Sequence, residues 1–485
     1  MQTNLFINGH WKSASTGETF SVDNPATEDI LADVQKGSPS DVQQAVDAAK
    51  AAFNEWRWIT ANERAAMLHE VVAKTHQHWD VLAECLTLEQ GKPKAENEEE
   101  VELTASTFRY YAEMGRMMRG QVIPSGERSQ LNMVIKEPFG VVGCILPWNY
   151  PLILLAWKMA PALAAGNTLV IKPSEMTPLT TLMFIETCCD HLPNGVVNVI
   201  PGMGDVGEAV VEHPDVPMIA FTGSVATGQK IASICAPMMK HTHLELGGKD
   251  AFVVGPDADV EKAAKAVSYA ALANCGQVCT SSERVYVPQH LKDTFAENVT
   301  DLVKSLNIGP GMDDDTDIGP MIGAQYREKV IHHVKDAEQK GASVLTGGII
   351  PDGKGYFYQP TVLMQVDHSM RIMTEETFGP VIPIMGYDNI DEAISLVNNS
   401  SYGLGATLRS NDPKICKQFF EEVKAGTVWI NDPLTDNTAG PFGGMKMTGG
   451  GRELGEEGFL SFMETKHVHW DFSDEPKDWW LSHRL

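Results

Sequence analysis

The sequence predicts an α/β protein built around two parallel sheets. Three observations carry this. The chain has 485 residues, more than a single hydrophobic core usually serves. From Val141 onward, short β-branched runs alternate four times with helical stretches. A second alternating series follows Gly247. Alternation of this kind implies βαβ units, and hence parallel strands covered on both faces.

Taken in order, VVGCILP (141–147) reads as a strand, LILLAWKMAPALAAG (152–166) as a helix and NTLVIKPSE (167–175) as a strand ending in a turn. LTTLMFIETCCDHL is helical, GVVNVIPG a strand and DVGEAVVEH a helix. MIAFTGS is a strand, and VATGQKIASICAPMM (225–239) a helix. In the second series, ADVEKAAKAVSYAALAN (258–274) is helical, with Cys275 at its fraying end, and SSERVYV is a strand. QYREKVIHHVKDAEQKG, DEAISLVNN and PKICKQFFEEVKAG are helices, while ASVLTGG, LGATLRS and GTVWIND are strands. Met117 to Pro138 reads as a hairpin with charged turns, and the aromatic tail from Thr465 reads either as an interface or as a segment packed on its own domain. Ligands of parallel sheets bind at the carboxyl ends of the strands. The groups to watch are therefore Trp148 and Asn149, Lys172 to Glu175, Gly202 to Gly204, and Thr222 to Ser224.

Composition excludes several classes. A formal charge of −26 opposes binding to nucleic acid or to anionic lipid. The N-terminal MQTNLFINGHW lacks the basic and apolar regions of a signal peptide. The most apolar stretch, Phe139 to Gly166, is interrupted by Pro147, Pro151, Lys158 and Pro161, which is unsuited to a membrane span. Eight scattered cysteines read as thiols of a reducing compartment, and a cytoplasmic location is the expectation.

Cys275 and Cys279 stand four apart in ANCGQVCTSSER. Structural zinc needs four ligands at short paired spacings, and neither this pair nor His241, His243, His332 and His333 supplies them, so no metal is expected. Cys275 reads as a buried, inert thiol. Cys279 follows a Gly-Gln turn, where an accessible thiol is a candidate nucleophile. FTGSVATGQK has Gln229-Lys230 where a phosphate-binding P-loop requires Lys-Ser/Thr. What remains at Gly223 and Ser224 is a helix N-terminus suited to one phosphate of a dinucleotide. In KPSE, Lys172 and Glu175 are either a surface ion pair or a ribose-binding pair whose carboxylate repels a 2′-phosphate. Glu245, in LELGGK, is either a desolvated general base or an exposed or capping carboxylate.

PWNYP, KPSE, FTGS, LELGGK, GQVC and EETFGPV occur in that order, and from Phe6 to His467 the chain resembles the NAD(P)-dependent aldehyde dehydrogenase superfamily. The resemblance implies a Rossmann-like NAD-binding domain (1–116 and 139–246), a catalytic α/β domain (247–464) and an oligomerisation element (117–138 and 465–485) of a homodimer or homotetramer. It implies that Cys279 is the nucleophile, that Asn149 and the Cys279 N–H form the oxyanion hole, that Glu245 activates water, and that Lys158 and Glu453 relay protons. For the cofactor, NAD rather than NADP, it implies Lys172 and Glu175 at the adenosine ribose, Ser224, Gly223 and Trp148 near the pyrophosphate, and Glu376 and Phe378 at the nicotinamide ribose. Tyr150 and Trp157, with Phe442, match rings that enclose a cationic head group in betaine- and aminoaldehyde-oxidising members. Ala273 stands where those enzymes often carry Trp, and GQVC with SERVYV is closer to lactaldehyde-type members. A small-molecule aldehyde, cationic or small and neutral, is the expected substrate, and Glu245 speaks for hydrolysis to the acid rather than transfer to coenzyme A.

Overall fold

Two short hairpins precede the first helices: β1 (Leu5–Ile7) with β2 (His10–Lys12), and β3 (Thr19–Asp23) with β4 (Ile30–Gln35). Capping boxes then start α1 (Pro39–Trp56) and α2 (Ala61–Gln77). Ser38 and Thr60 accept from the backbone of Asp41 and Glu63, whose carboxylates reach back to the caps. Helix α3 (Trp79–Gln90) stops at Gly91, which is left-handed at φ 99°. Helix α4 (Lys94–Met117) follows, and then the antiparallel pair β5 (Gln121–Ile123) and β6 (Gln130–Pro138). The computed structural model describes residues 2–480.

The predicted alternation then unfolds as β7 (Val141–Ile145), α5 (Pro151–Ala165), β8 (Thr168–Lys172), α6 (Leu179–Cys188), β9 (Val197–Val199), α7 (Gly204–Glu212), β10 (Met218–Gly223), α8 (Val225–Cys235) and β11 (His241–Leu246). The sheet order is β11-β10-β7-β8-β9-β1-β2, with β7 to β11 parallel and β1 running against β9. Every residue of β7, β8 and β9 is buried, as expected of strands covered on both faces. Helix α5 is buried along its whole length, Lys158 included.

The second series gives β12 (Asp250–Val254), α9 (Val260–Leu272), β13 (Ser282–Pro288), α10 (Lys292–Ser305), α11 (Ala324–Gln339), β14 (Ser343–Thr346), β15 (Thr361–Met364), β16 (Val381–Tyr387), α12 (Ile390–Asn398), β17 (Gly405–Arg409), α13 (Pro413–Glu422) and β18 (Thr427–Ile430). Its order is β14-β15-β16-β13-β12-β17-β18, and only β14 is antiparallel to its neighbour. A last strand, β19 (Met463–Asp471), pairs with β6 from Met463↔Pro138 to Asp471↔Gln130. Trp470, Phe472, Trp479 and Trp480 of the tail are exposed. Residues 481–485 of that predicted element lie outside the described residues.

Several helices end earlier than their sequence pattern predicts, and at two of them the cause is plain in the chain. Helix α8 yields at Cys235 to a 3-10 turn containing Pro237, which has no N–H to continue the ladder. Helix α9 stops at Leu272, and Cys275 is not at a fraying end. Asn274 and Cys275 are left-handed, at φ 49° and 55°, and the turn buries both. Among the described residues no helix is long and apolar enough to cross a membrane.

Candidate active site

A cleft of about 530 Å³ opens at the carboxyl ends of β7, β8 and β10. Trp148, Asn149, Lys172, Glu175, Gly223 and Ser224 line it from the first sheet, and Cys279, Glu376 and Phe378 from the second. The local chain explains the thiol's position. A Cβ on Gly276, at φ 71°, would lie 2.3 Å from the Gly379 carbonyl oxygen, so this turn requires glycine. The buried Gln277 donates to the Asn274 carbonyl at 3.1 Å and accepts from Ile322 N–H at 2.9 Å. The Asn274 side chain in turn donates to the carbonyls of Asn149 and Gln277. Asn149 Nδ2 donates to the Gln277 carbonyl at 3.1 Å, and the amide has a second N–H to offer. Cys279 is partly exposed to the cleft, as the sequence predicts. Burial, followed by the charges of Asp250, Asp436, Glu376 and Glu245, pushes its thiol well above the ordinary value.

Glu245 is the penultimate residue of β11 and is buried, so the exposed or capping alternative falls away. Neither of its oxygens has a protein hydrogen-bond partner. Burial, then the Glu453 charge, raises its carboxyl well above the usual range. Behind it, Lys158 Nζ lies 2.5 Å from Glu453 Oε1 and 2.6 Å from the Thr222 hydroxyl, all buried. The predicted catalytic residues thus fall into two groups. Asn149 and Cys279 face the cleft, whereas Glu245, Lys158 and Glu453 lie inside the protein.

On the cleft's other wall, the sequence alternative of a bare surface ion pair is too simple for Lys172 and Glu175. They pair at 2.8 Å, but the lysine is buried while the carboxylate remains open to the cleft. Burial opposes ionisation of Glu175, yet the Lys172 charge and hydrogen bond more than offset it and hold the carboxyl below its ordinary value. Ser224 caps α8 by accepting from Thr227 N–H, and both residues line the cleft. The first turn of α8 therefore offers its free N–H groups there. Glu376 Oε1 accepts from Gly248 N–H at 3.0 Å, and burial followed by the Glu283 charge pushes its carboxyl to about 7. Phe378 is held at φ 58°, its ring edge-on to Trp148 with centroids 5.4 Å apart. A strand-end cleft with a helix N-terminus, a cleft-facing carboxylate and aromatic walls fits a dinucleotide.

Trp157 and Phe442 meet with ring centroids 4.9 Å apart, in an apolar cluster that packs against Tyr150 and Cys279. The three predicted substrate rings are therefore gathered beside the thiol. Tyr150 already has a cation over its ring, however. Lys92 Nζ stands 3.8 Å from the centroid and is itself paired with buried Glu100.

Sequence reasoning missed the supports. Glu283 accepts from the N–H groups of Thr377 and Phe378, both at 2.7 Å, and pairs with Lys249 at 2.5 Å. Glu96 accepts from Asn274 N–H at 2.9 Å, and Gln90 donates to the Asn274 side chain at 2.7 Å. Glu96 sits in the run ENEEE, which reads as a solvated face, and nothing local marks it. Glu283 did carry a signal, a charge pair opening an otherwise apolar strand in SERVYV.

Comparison with known proteins gives the family. Residues 11–468 match the aldehyde dehydrogenase family. The peroxisomal aminoaldehyde dehydrogenase 2 of Pisum sativum is 36% identical over 98% of this chain and 97% of its own length. An NADP(+) succinate-semialdehyde dehydrogenase of Escherichia coli is 38% identical over 96% of this chain and 98% of its own. The NAD+ complex of a betaine aldehyde dehydrogenase from Staphylococcus aureus superposes with a TM-score of 0.96 at 36% identity, over 99% of this chain and 97% of that one. The six motifs, the dinucleotide cleft and a match that runs nearly from end to end agree, and the chain belongs to the aldehyde dehydrogenase family of NAD(P)-using oxidoreductases.

Proposed function

We propose that this enzyme oxidises a small aldehyde to its carboxylic acid through a thioester on Cys279. The carrying observation is the pairing of a cleft-facing thiol and amide, Cys279 and Asn149, with a buried carboxylate behind them, Glu245. Cys279 Sγ attacks the aldehyde carbon, and the second N–H of Asn149, with the Cys279 backbone N–H, takes the negative oxygen. One such donor contributes about 3 to 4 kcal/mol to the transition state. The bound dinucleotide supplies a hydride acceptor. Glu245 then removes a proton from the water that attacks the thioester, and Lys158 and Glu453 take part in moving that proton onward. A base placed for hydrolysis is the reason to favour a free acid over an acyl-coenzyme A product.

Lys172 and Glu175 hold the adenosine ribose, Gly223, Ser224 and Trp148 the pyrophosphate region, and Glu376 and Phe378 the nicotinamide ribose. The open carboxylate of Glu175 would repel a 2′-phosphate, so NAD is the preferred cofactor. The sheet of β19, β6 and β5, with its exposed tail aromatics, joins subunits of a homodimer or homotetramer. Residues 1–116 with 139–246 form the cofactor domain and 247–464 the catalytic domain. Free thiols suit a cytoplasmic enzyme.

The substrate is a cationic aldehyde, betaine aldehyde or an aminoaldehyde, received by Trp157, Phe442 and Tyr150. The rings beside the thiol and the names of several relatives support this. A small neutral aldehyde is the second reading, favoured by the cation already seated on Tyr150. Cofactor reduction with betaine aldehyde, compared with propanal and lactaldehyde, decides between them. A tenfold advantage in kcat/KM for betaine aldehyde, about 1.4 kcal/mol, supports the cationic reading, and preference for the neutral aldehydes rejects it. Cys279→Ala should abolish turnover with every aldehyde.

A further inference from the structure

Strand β11 reads His241-Thr242-His243-Leu244-Glu245-Leu246, and alternate residues of a strand point to one face. His241, His243 and Glu245 therefore form a file, and burial changes along it. Glu245 and His243 are each 3% exposed, whereas the His241 side chain is 57% exposed and lies 3.2 Å from Glu464 at the surface. Each imidazole rests on an aromatic ring. His243 stacks on Phe462 at a centroid distance of 5.7 Å, and His241 lies 4.3 Å from Phe139.

At the inner end, polar atoms lack protein partners. Both Glu245 oxygens, Glu453 Oε2 and His243 Nε2 are buried with none. Buried groups of this kind are satisfied by ordered water. The groups lie close together, with His243 Nε2 3.9 Å from Glu453 Oε1, the oxygen that holds Lys158. A Cβ on Gly451 would stand 2.8 Å from Glu245 Oε1 and 3.0 Å from His243 Nε2. The carboxylate oxygen and the imidazole nitrogen are therefore no farther apart than two hydrogen bonds of about 2.9 Å each can span. The absence of a side chain at Gly451 keeps the space between them clear.

Burial, with Lys158 and Arg452 facing the ring, pushes the His243 imidazole down to about 3, so the contact with Glu453 is not an ion pair at neutral pH. A neutral imidazole donates at one nitrogen and accepts at the other, so it can take a proton on one side as it releases one on the other. Glu245 needs such an outlet, because it takes up a proton in every hydrolysis while burial and the Glu453 charge favour its neutral form.

We propose that His243 and His241 conduct protons between Glu245 and solvent along this face of β11, a route additional to Lys158 and Glu453. The proposal rests on Glu245 being the hydrolytic base. As the water oxygen bonds to the thioester carbon, one water proton moves to Glu245. The C–S bond breaks, its electron pair stays on sulfur, and the acid departs. The proton on Glu245 passes through the bridging water to His243 Nε2 while Nδ1 releases its proton toward His241 and bulk water. The imidazole then returns to its first tautomer. One proton leaves per turnover, and nothing is oxidised or reduced in this step.

The test follows acyl-Cys279 by quenched flow and intact mass, using the full-length enzyme with NAD and aldehyde in dilute, bulky buffer. Glu245→Gln serves as the trapped reference. His243→Gln is expected to slow acyl-enzyme decay about tenfold, leave its formation unchanged and recover on adding imidazole, as a lost proton carrier would. His241→Gln, at an exposed side chain, should slow decay about two- to threefold with the same rescue. Decay at the wild-type rate in both variants, or slowing that imidazole does not relieve, overturns the proposal while the thioester reading stands. Failure of Glu245→Gln to accumulate acyl-enzyme overturns the reading of Glu245 as base, and this proposal with it.

Discussion

The two sides of Cys279 are built on opposite terms. Toward the cofactor, each carboxylate has a protein partner: Glu175 with Lys172, Glu376 with Gly248 N–H, and Glu283 with Lys249 and two backbone N–H groups. Behind the thiol, Glu245 has no partner for either oxygen, and Glu453 and His243 each leave one atom unsatisfied. Fully satisfied networks rigidify a site, whereas unsatisfied buried charge is costly and shifts toward its neutral form. The strand-end wall of the cleft, the proposed cofactor side, is therefore a preformed cradle. The side behind the thiol, the proposed hydrolytic side, is the part whose charge state is set by burial.

Substitutions can break or sharpen this contrast. The largest effect is expected from Glu245→Gln, which should leave the first burst of cofactor reduction intact and lower steady-state turnover by about 10² to 10⁴. Stopped-flow absorbance separates the two phases, and a lost burst would mean that Glu245 also serves acylation. Asn149→Ala should lower the burst rate itself, by about 10² to 10³, as one oxyanion donor is removed. The same instrument reads it.

Stability should divide the two sides in the opposite sense. Glu283→Ala leaves the buried Lys249 ammonium unpaired and should cost about 3 to 5 kcal/mol, seen in denaturant unfolding. Glu245→Gln replaces a buried carboxyl whose oxygens have no partner, and the folded enzyme should be as stable as wild type or more so. If both variants lose stability equally, the contrast fails.

The smallest effect concerns pH. Glu245 has a raised carboxyl in the folded state, so the native protein retains a proton that the unfolded chain has already released. This contribution is present below the ordinary Glu range and is lost as pH rises from there through the raised value. Unfolding free energy of wild type relative to Glu245→Gln should therefore decline with rising pH over that window. Activity should move the other way, because the proposed roles of Glu245 and Cys279 both need the deprotonated form and both groups are raised. A difference in stability that grows with pH would refute the sign.

Local pattern was enough for most of the fold. From Val141 to Leu246 each predicted strand and helix appears in its place, because fully buried strands read as continuous apolar runs and Gly or Pro marks their ends. The motif residues were also legible, since each follows a strand and the carboxyl ends of parallel strands converge on one cleft. Where the pattern misled, at the end of α9, a buried network had pulled Asn274 and Cys275 into left-handed turns that no periodicity encodes.

The sequence by itself determined the two parallel sheets, the order of the motifs and the residue types available for chemistry, because these follow from nearest-neighbour periodicity and turn preferences. Only tertiary structure decided the surroundings of those residues. It buried Glu245 unpartnered, left Glu175 open to the cleft and set Lys92 over Tyr150. It also brought Glu283, on a strand of one segment, beneath the Thr377 and Phe378 backbone of another. Desolvation and pairing depend on atoms distant in sequence, so a carboxylate's role is settled only when the chain has closed around it.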